Sequence, residues 1–381
     1  MALALVIAVV AAPRADALTC TSGTTFGAFS AAAAPSACWR PYAPSSPFNK
    51  PIPQHPRLAP DSAAIVAHMH RYGYQFSGGG HGFALHSRGS RPVYWSSPDD
   101  PVVTVRCTYY WGPNTCQGAN GHVIDGIEID IPAGAQPEQQ WDGHMIVVDQ
   151  ADNAEYDFER ASWTGSDQLT VWSGSEIPIT GPGATGLGGN ADAGSFGLLG
   201  GIVRPEELRS DSINHALAIS VPCTDGYVWP AQGPWGLACG SIGQDAPGAL
   251  QMGALLQLDM TAAQIAATGA PAWQQAIMRA MARYGMYIND TNGGADNRGL
   301  EIDVQDDESF TSLGEAPLMV DAVRAFGGSY AGSGDWIVAG VPINPAKLRV
   351  IAACVQQGTC PAPTEQAQMI RRARRHKRHH H

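Results

Sequence analysis

Two stretches of this chain repeat apolar residues at helical spacing, and much of the remainder alternates apolar with polar. Asp61 stands as a helix N-cap before Ile65, Met69 and Tyr72, and Gly73 follows as a stop. A second helical pattern covers residues 272–284, with Trp273, Ile277, Met281 and Tyr284 on one face and Gly285 beyond it. Residues 141–159 read as a hairpin, because β-branched and aromatic residues flank the turn-forming Asp152-Asn153. Further strands are expected at 127–131, 169–172, 215–221, 255–260, 300–304 and 336–338. Period-two alternation between turn residues predicts half-buried antiparallel sheet, so the expected fold is mainly β, a sandwich or barrel with a few helices. Glycine-dense residues 173–201 predict one long loop.

The two helical stretches also match each other. Ile65, Met69, Arg71, Tyr72 and Gly73 have the spacing of Ile277, Met281, Arg283, Tyr284 and Gly285. Each runs into a short apolar segment and a glycine-rich loop, which suggests two related helix–strand halves.

Composition adds a compartment. Residues 2–12 form an apolar run too short to span a bilayer, followed by the small-x-small pattern Ala15-Asp16-Ala17. The expected organisation is a leader at 1–17, an irregular segment at 18–60, one β-rich domain at 61–360 and a disordered basic tail at 361–381. Eight cysteines fall into the close pairs Cys20/Cys38, Cys107/Cys116, Cys223/Cys239 and Cys354/Cys360. An exported chain favours disulfides over metal ligation, and sequential pairing is the economical expectation. The 44 glycines and 28 prolines imply many turns. Net charge is -11, and six of the 23 basic residues crowd into the last eleven positions. Without those six, acids outnumber bases two to one, which argues against nucleic acid as a partner.

Candidate chemistry centres on acids and imidazoles near strand ends. Asp142 and His144 occupy alternate positions at the start of the hairpin, and Asp149 ends its first strand. A two-residue turn would set Asp149 opposite Tyr156; a three-residue turn would set it opposite Glu155, pairing two carboxyls and raising one pKa. His215 opens another strand, where a structural role competes with a chemical one. Asp290 precedes the Thr291-Asn292-Gly293-Gly294 loop and equally suits a turn. Glu301 and Asp303 share one face of a strand, as a glycosidase acid pair could. Trp141, Trp163 and Trp172 lie near the hairpin and could stack on sugar rings. Gly181-Pro182-Gly183-Ala184-Thr185-Gly186 fits a dinucleotide fingerprint in letters but lacks the helix that must open after it. No cofactor and no metal site are expected.

The Glu301-Ile302-Asp303-Val304-Gln305-Asp306 stretch resembles the strand motif of laminarinase-type glycosidases, with Asp306 where that motif has Glu. Ser46-Pro47-Phe48-Asn49, Asp142-Gly143-His144-Met145, the segment 201–207 and His215-Ala216-Leu217 resemble a group of secreted bacterial proteins. That second resemblance implies export and one compact unit, and it brings no activity with it. The expectation is a secreted glycoside hydrolase acting on a polysaccharide. The alternatives are a polysaccharide lyase and a carbohydrate-binding or wall-associated protein without catalysis.

Overall fold

A computed structural model describes residues 28–74, 83–87, 89–116, 123–140, 142–184, 191–293, 299–327, 329–330, 336–341, 343 and 345–360. The expected leader, the basic tail, Cys20, Trp141, residues 75–82 and Thr185-Gly186 lie outside these residues.

The chain begins its regular structure with α1 (Ser62–Arg71) and β1 (Phe83–His86). It then builds β2 (Val93–Ser96), β3 (Val102–Cys107), β4 (Glu128–Asp130), β5 (Met145–Asp149), β6 (Ala154–Glu159), β7 (Ser162–Trp163), β8 (Gln168–Val171) and β9 (Ser173–Pro178). It returns through α2 (Pro205–Arg209), β10 (Leu217–Val221), β11 (Leu255–Leu258), α3 (Ala262–Ala266), α4 (Ala272–Arg283), β12 (Met286–Thr291) and β13 (Leu300–Ile302). The remaining elements are α5 (Glu308–Thr311), α6 (Leu318–Ala325), β14 (Ser329–Tyr330), β15 (Trp336–Val341), β16 (Leu348–Ile351) and α7 (Ala353–Gln357).

These strands form three sheets: β14-β15-β1-β13-β10-β12-β11-β16, then β2-β5-β6-β9, then β4-β3-β8-β7. The fold is therefore β-rich with few helices, but pairing is mixed rather than antiparallel. β1 runs parallel to β13, β10 to β12, β2 to β5 and β3 to β8. Parallel neighbours need long connections, and here the excursion between β1 and β10 supplies a whole second layer.

The sheet β2-β5-β6-β9 divides two cores. On β5, Ile146 and Val148 point into the core shared with the large sheet, whereas Met145 and Val147 point into a smaller core with β3 and β8. Burial on both faces explains why 145–148 reads as an unbroken apolar run. Residues 28–60 contain no helix or strand, yet Trp39, Tyr42 and Phe48 are buried in the larger core.

Several sequence expectations are corrected. Residues 173–178 are not loop; β9 pairs along the whole length of β6. The hairpin turn is longer than either register considered: Asp149 faces Ala154, and Val148 faces Glu155. Asn153 takes a left-handed φ of 56°, and Asp149 accepts the amides of Ala151 and Asp152 at 2.9 Å each. The helices at 62–71 and 272–283 both stop at a glycine of positive φ, Gly73 and Gly285. After the second helix Met286–Thr291 joins the large sheet; the matching segment after the first, 75–76 with its glycine-rich loop, lies outside the described residues.

Cys107–Cys116, Cys223–Cys239 and Cys354–Cys360 are joined, three disulfides that fit an oxidising, extracellular setting. The fourth expected pair, Cys20/Cys38, differs from these. Cys38 is itself disulfide-bonded, but Cys20, and with it the pairing expected for Cys38, lies outside the described residues. Among the described residues, no helix is long and apolar enough to cross a membrane.

Candidate functional site

A cleft of about 890 Å³ opens between the large sheet and the inserted layer. Asp142, His144, Glu159 and residues 111–115 line it from the inserted side. Ser220, Asp290, Glu301, Asp303 and residues 235–237 line it from the large sheet. Arg91 and Asp192 complete it.

The strand geometry explains the convergence. β13 sits between β1 and β10, so alternate residues Glu301 and Asp303 face the cleft while Ile302 joins the core. Glu301 lies opposite Ser220, which lines the same cleft. Between β10 and β12 the register slips: Ile219 pairs Ile288, but Ser220 pairs Asp290. Asn289 is the extra residue, and this bulge brings two consecutive polar side chains to the acidic cluster. Asn289 Nδ2 donates to Asp303 Oδ2 at 2.5 Å and to Asp192 Oδ2 at 3.1 Å. Asp290 instead lines the cleft, its carboxyl about a quarter exposed (24%).

Arg91 is buried beneath these acids. Its Nη2 lies 3.4 Å from Asp303 Oδ2 and 4.0 Å from Asp290 Oδ2, and its Nη1 donates to the Gly89 carbonyl at 2.9 Å. The backbone pins it too, since Arg91 N–H donates to Val304 O and Arg91 O accepts from Asp306. Burial alone would lower the guanidinium pKa, but Asp303, Asp192, Asp290 and Asp142 outweigh that and raise it. Gly89 holds a φ of +68°, and a Cβ there would stand 3.7 Å from Asp142 Oδ2. The contact would be an ordinary one, so it is the left-handed φ that favours glycine here.

The acids outnumber the cation that serves them, so some keep their protons. Burial raises Asp192 to about 7 against the pull of Arg91. Burial, and then the charge of Asp192, hold Asp290 well above the ordinary carboxylate range. Burial and the nearby Arg91 push His144 well below its usual value, which leaves a neutral imidazole 3.9 Å from Asp142 Oδ2. Asp142 also meets Arg160 Nη2 at 3.3 Å. Glu159, raised chiefly by burial, accepts from Trp111 Nε1 at 2.8 Å and from Ser173 Oγ at 2.7 Å.

Of the residues singled out from sequence, the cleft gathers Asp142, His144, Asp290, Glu301 and Asp303. The other three acids and imidazoles, and the two described tryptophans, lie elsewhere. Asp149 organises its turn, as described above. Glu155 is fully buried, accepting from Tyr42 Oη at 2.6 Å and from the Leu199 amide at 2.8 Å. His215 is buried with Nε2 2.9 Å from Glu207 Oε1 and Nδ1 2.8 Å from the Ala216 carbonyl, which is a structural placement. Trp163 donates to the Ala135 carbonyl at 2.8 Å and packs on the smaller core. Trp172 is engaged by Tyr110, stacked at 3.8 Å, and by the Arg160 guanidinium 5.3 Å from its ring. Trp141 lies outside the described residues.

Sequence reasoning missed Arg91, Asp192, Glu159, Trp111 and Trp235. Glu159 was legible from the alternation of Glu155, Asp157 and Glu159 along one strand. Asp192 was hidden inside the glycine-dense stretch, and Arg91 sits in no motif. Among the described residues no group of three or more His, Cys, Asp or Glu is arranged to hold a metal ion. Comparison with protein-family models, with curated proteins and with solved structures finds no match.

Proposed function

We propose that the chain is a glycoside hydrolase acting on an extracellular, uncharged polysaccharide. The observation that carries this reading is a pair of unlike carboxyls, Asp290 and Asp303, flanking one arginine nitrogen in an open cleft. Their nearest oxygens can be no farther apart than the two distances to that nitrogen laid end to end. That limit excludes the widest spacing, about 9.5 Å, of inverting acid pairs. Asp290, raised well above the ordinary carboxylate range chiefly by burial yet still about a quarter exposed, serves as the general acid on the leaving oxygen. Asp303 is held by Arg91 and Asn289 and supplies the second carboxylate, as nucleophile or as base towards water. His144, neutral and buried, stands 3.9 Å from Asp142 and takes no part in the attack.

The same site disfavours a lyase. A uronate substrate would need a free cation, whereas Arg91 is already shared among four aspartates, and the lining is rich in acids. A binder without catalysis would not require protonated and ion-paired carboxyls side by side.

The test is incubation of the purified chain with a panel of neutral and uronate polysaccharides, followed by assays for new reducing ends and for ultraviolet-absorbing unsaturated products. Reducing ends from a neutral polymer are expected, and Asp290→Asn should lower their rate by about 10²–10⁴-fold while leaving the circular dichroism spectrum intact. Unsaturated products, or full activity in Asp290→Asn, would overturn the assignment.

A further inference from the structure

The loop closed by Cys107–Cys116 carries a feature that the acid pair does not use. Tyr110 and Trp111 are each 58% exposed, which is high for rings of this size. Their centroids lie 4.8 Å apart with planes at 88°, so they present two differently oriented surfaces. Neither is loose. Tyr110 stacks on Trp172 at 3.8 Å and 20°, with the Arg160 guanidinium also on Trp172. Trp111 is fixed through its indole N–H to Glu159 Oε2 at 2.8 Å, so its ring edge is held while its surface stays open. Trp111 lines the cleft; Tyr110 stands beyond the lining residues. The opposite, large-sheet side contributes another exposed indole to the lining, Trp235 at 46%.

Rigid, solvent-facing aromatic rings continuous with a cleft match the apolar faces of pyranose rings, and the covalent loop lets binding proceed with little ordering cost. We propose that Tyr110 and Trp111 form an outer sugar-stacking subsite, over which a neutral glycan chain leaves the cleft, with Trp235 holding the chain within it. This deepens the hydrolase reading, since it makes the substrate a polymer held at several sugars rather than a short terminal unit. It rests on that reading for the role of the cleft, though not for the binding itself.

The test is affinity electrophoresis of the full chain through native gels containing neutral polysaccharides, run beside the reducing-end assay. The wild type should be retarded by at least one polymer that it cuts. Tyr110→Ala and Trp111→Ala should each weaken retardation roughly three- to ten-fold, the scale of one lost ring contact. Tyr110→Phe should retain it, because the ring and not the hydroxyl makes the contact. Retardation unchanged in both alanine variants would overturn the subsite while leaving the acid pair to its own assay. Failure of every polymer to retard the wild type would overturn it equally. Retardation lost in the alanine variants, with no polymer cut by the wild type, would uphold the subsite and remove the hydrolase.

Discussion

Arg91 is the cation on which the cleft's charge balance depends. It is 2% exposed, and the carboxyls of Asp303, Asp192, Asp290 and Asp142 all act on it. Removing one member of a buried ion pair strands the other without compensation, at a cost of about 3–5 kcal/mol. Arg91→Leu should therefore lower the unfolding free energy by about that amount in urea titration. The double variant Arg91→Leu with Asp303→Asn should recover part of it, because the stranded charge is gone. A single variant as stable as the wild type would contradict the shared-cation account. None of this was visible in the letters. Asp142, Asp290, Glu301 and Asp303 could be singled out because each sits at a strand end or on an alternating face. The arginine that ties them together stands before Pro92 with no pattern to mark it.

At the scale of elements, legibility followed burial. The helices at Ser62–Arg71 and Ala272–Arg283 were readable because one apolar stripe faces the core and a glycine ends each. β2 was not, since all four of its residues are buried and alternation vanishes. β9 escaped because its Ser-Gly-Ser start looks like loop, although Gly174 is required by contact: a Cβ there would stand 2.6 Å from the Asp157 carbonyl oxygen. Cys223–Cys239 closes a separation of 16 residues, inside which lies Trp235 of the cleft. Chain-entropy arguments assign a loop of this size about 3 kcal/mol. Replacing both cysteines by serine should shift the urea midpoint downward by the equivalent of about 2–3 kcal/mol. A midpoint that does not move would show that the loop is held by its hydrogen bonds alone.

For the whole molecule, the buried acids set how stability responds to pH. Burial is the leading cause in each case: it raises Asp192, Asp306 and Glu206 to about 7, Asp307 to about 6 and Asp157 well above its ordinary value. Asp157 lies against Glu155, whose own pKa is also raised, so a proton is retained between them. The folded state thus holds protons that the unfolded chain has already released above about pH 4. Stability from these groups is complete below the unfolded carboxylate range and is lost as pH rises through 6 to 7 and beyond. Two groups act in the opposite sense. His144, depressed by burial, contributes in full above its unfolded value of about 6.5 and loses that contribution as pH falls from there towards its lower folded value. Glu207 is depressed because Arg204 and His215 overcome burial, and it contributes above the ordinary Glu range. The raised acids are more numerous, so the melting temperature measured by calorimetry should be higher at pH 5 than at pH 8. A melting temperature that climbs steadily from pH 5 to pH 8 would contradict this balance.

The slipped pairing at Asn289 has a consequence for descent. One inserted residue changes which side chains the strand offers to the cleft, while Met286–Ile288 keep their places against Leu217–Ile219. A related chain lacking that residue would keep Asp290 opposite Ser220 and lose only the amide that ties Asp303 to Asp192. Such a chain would share the strand order and hold its central aspartates more loosely, a difference readable from the number of residues between Ile288 and Asp290.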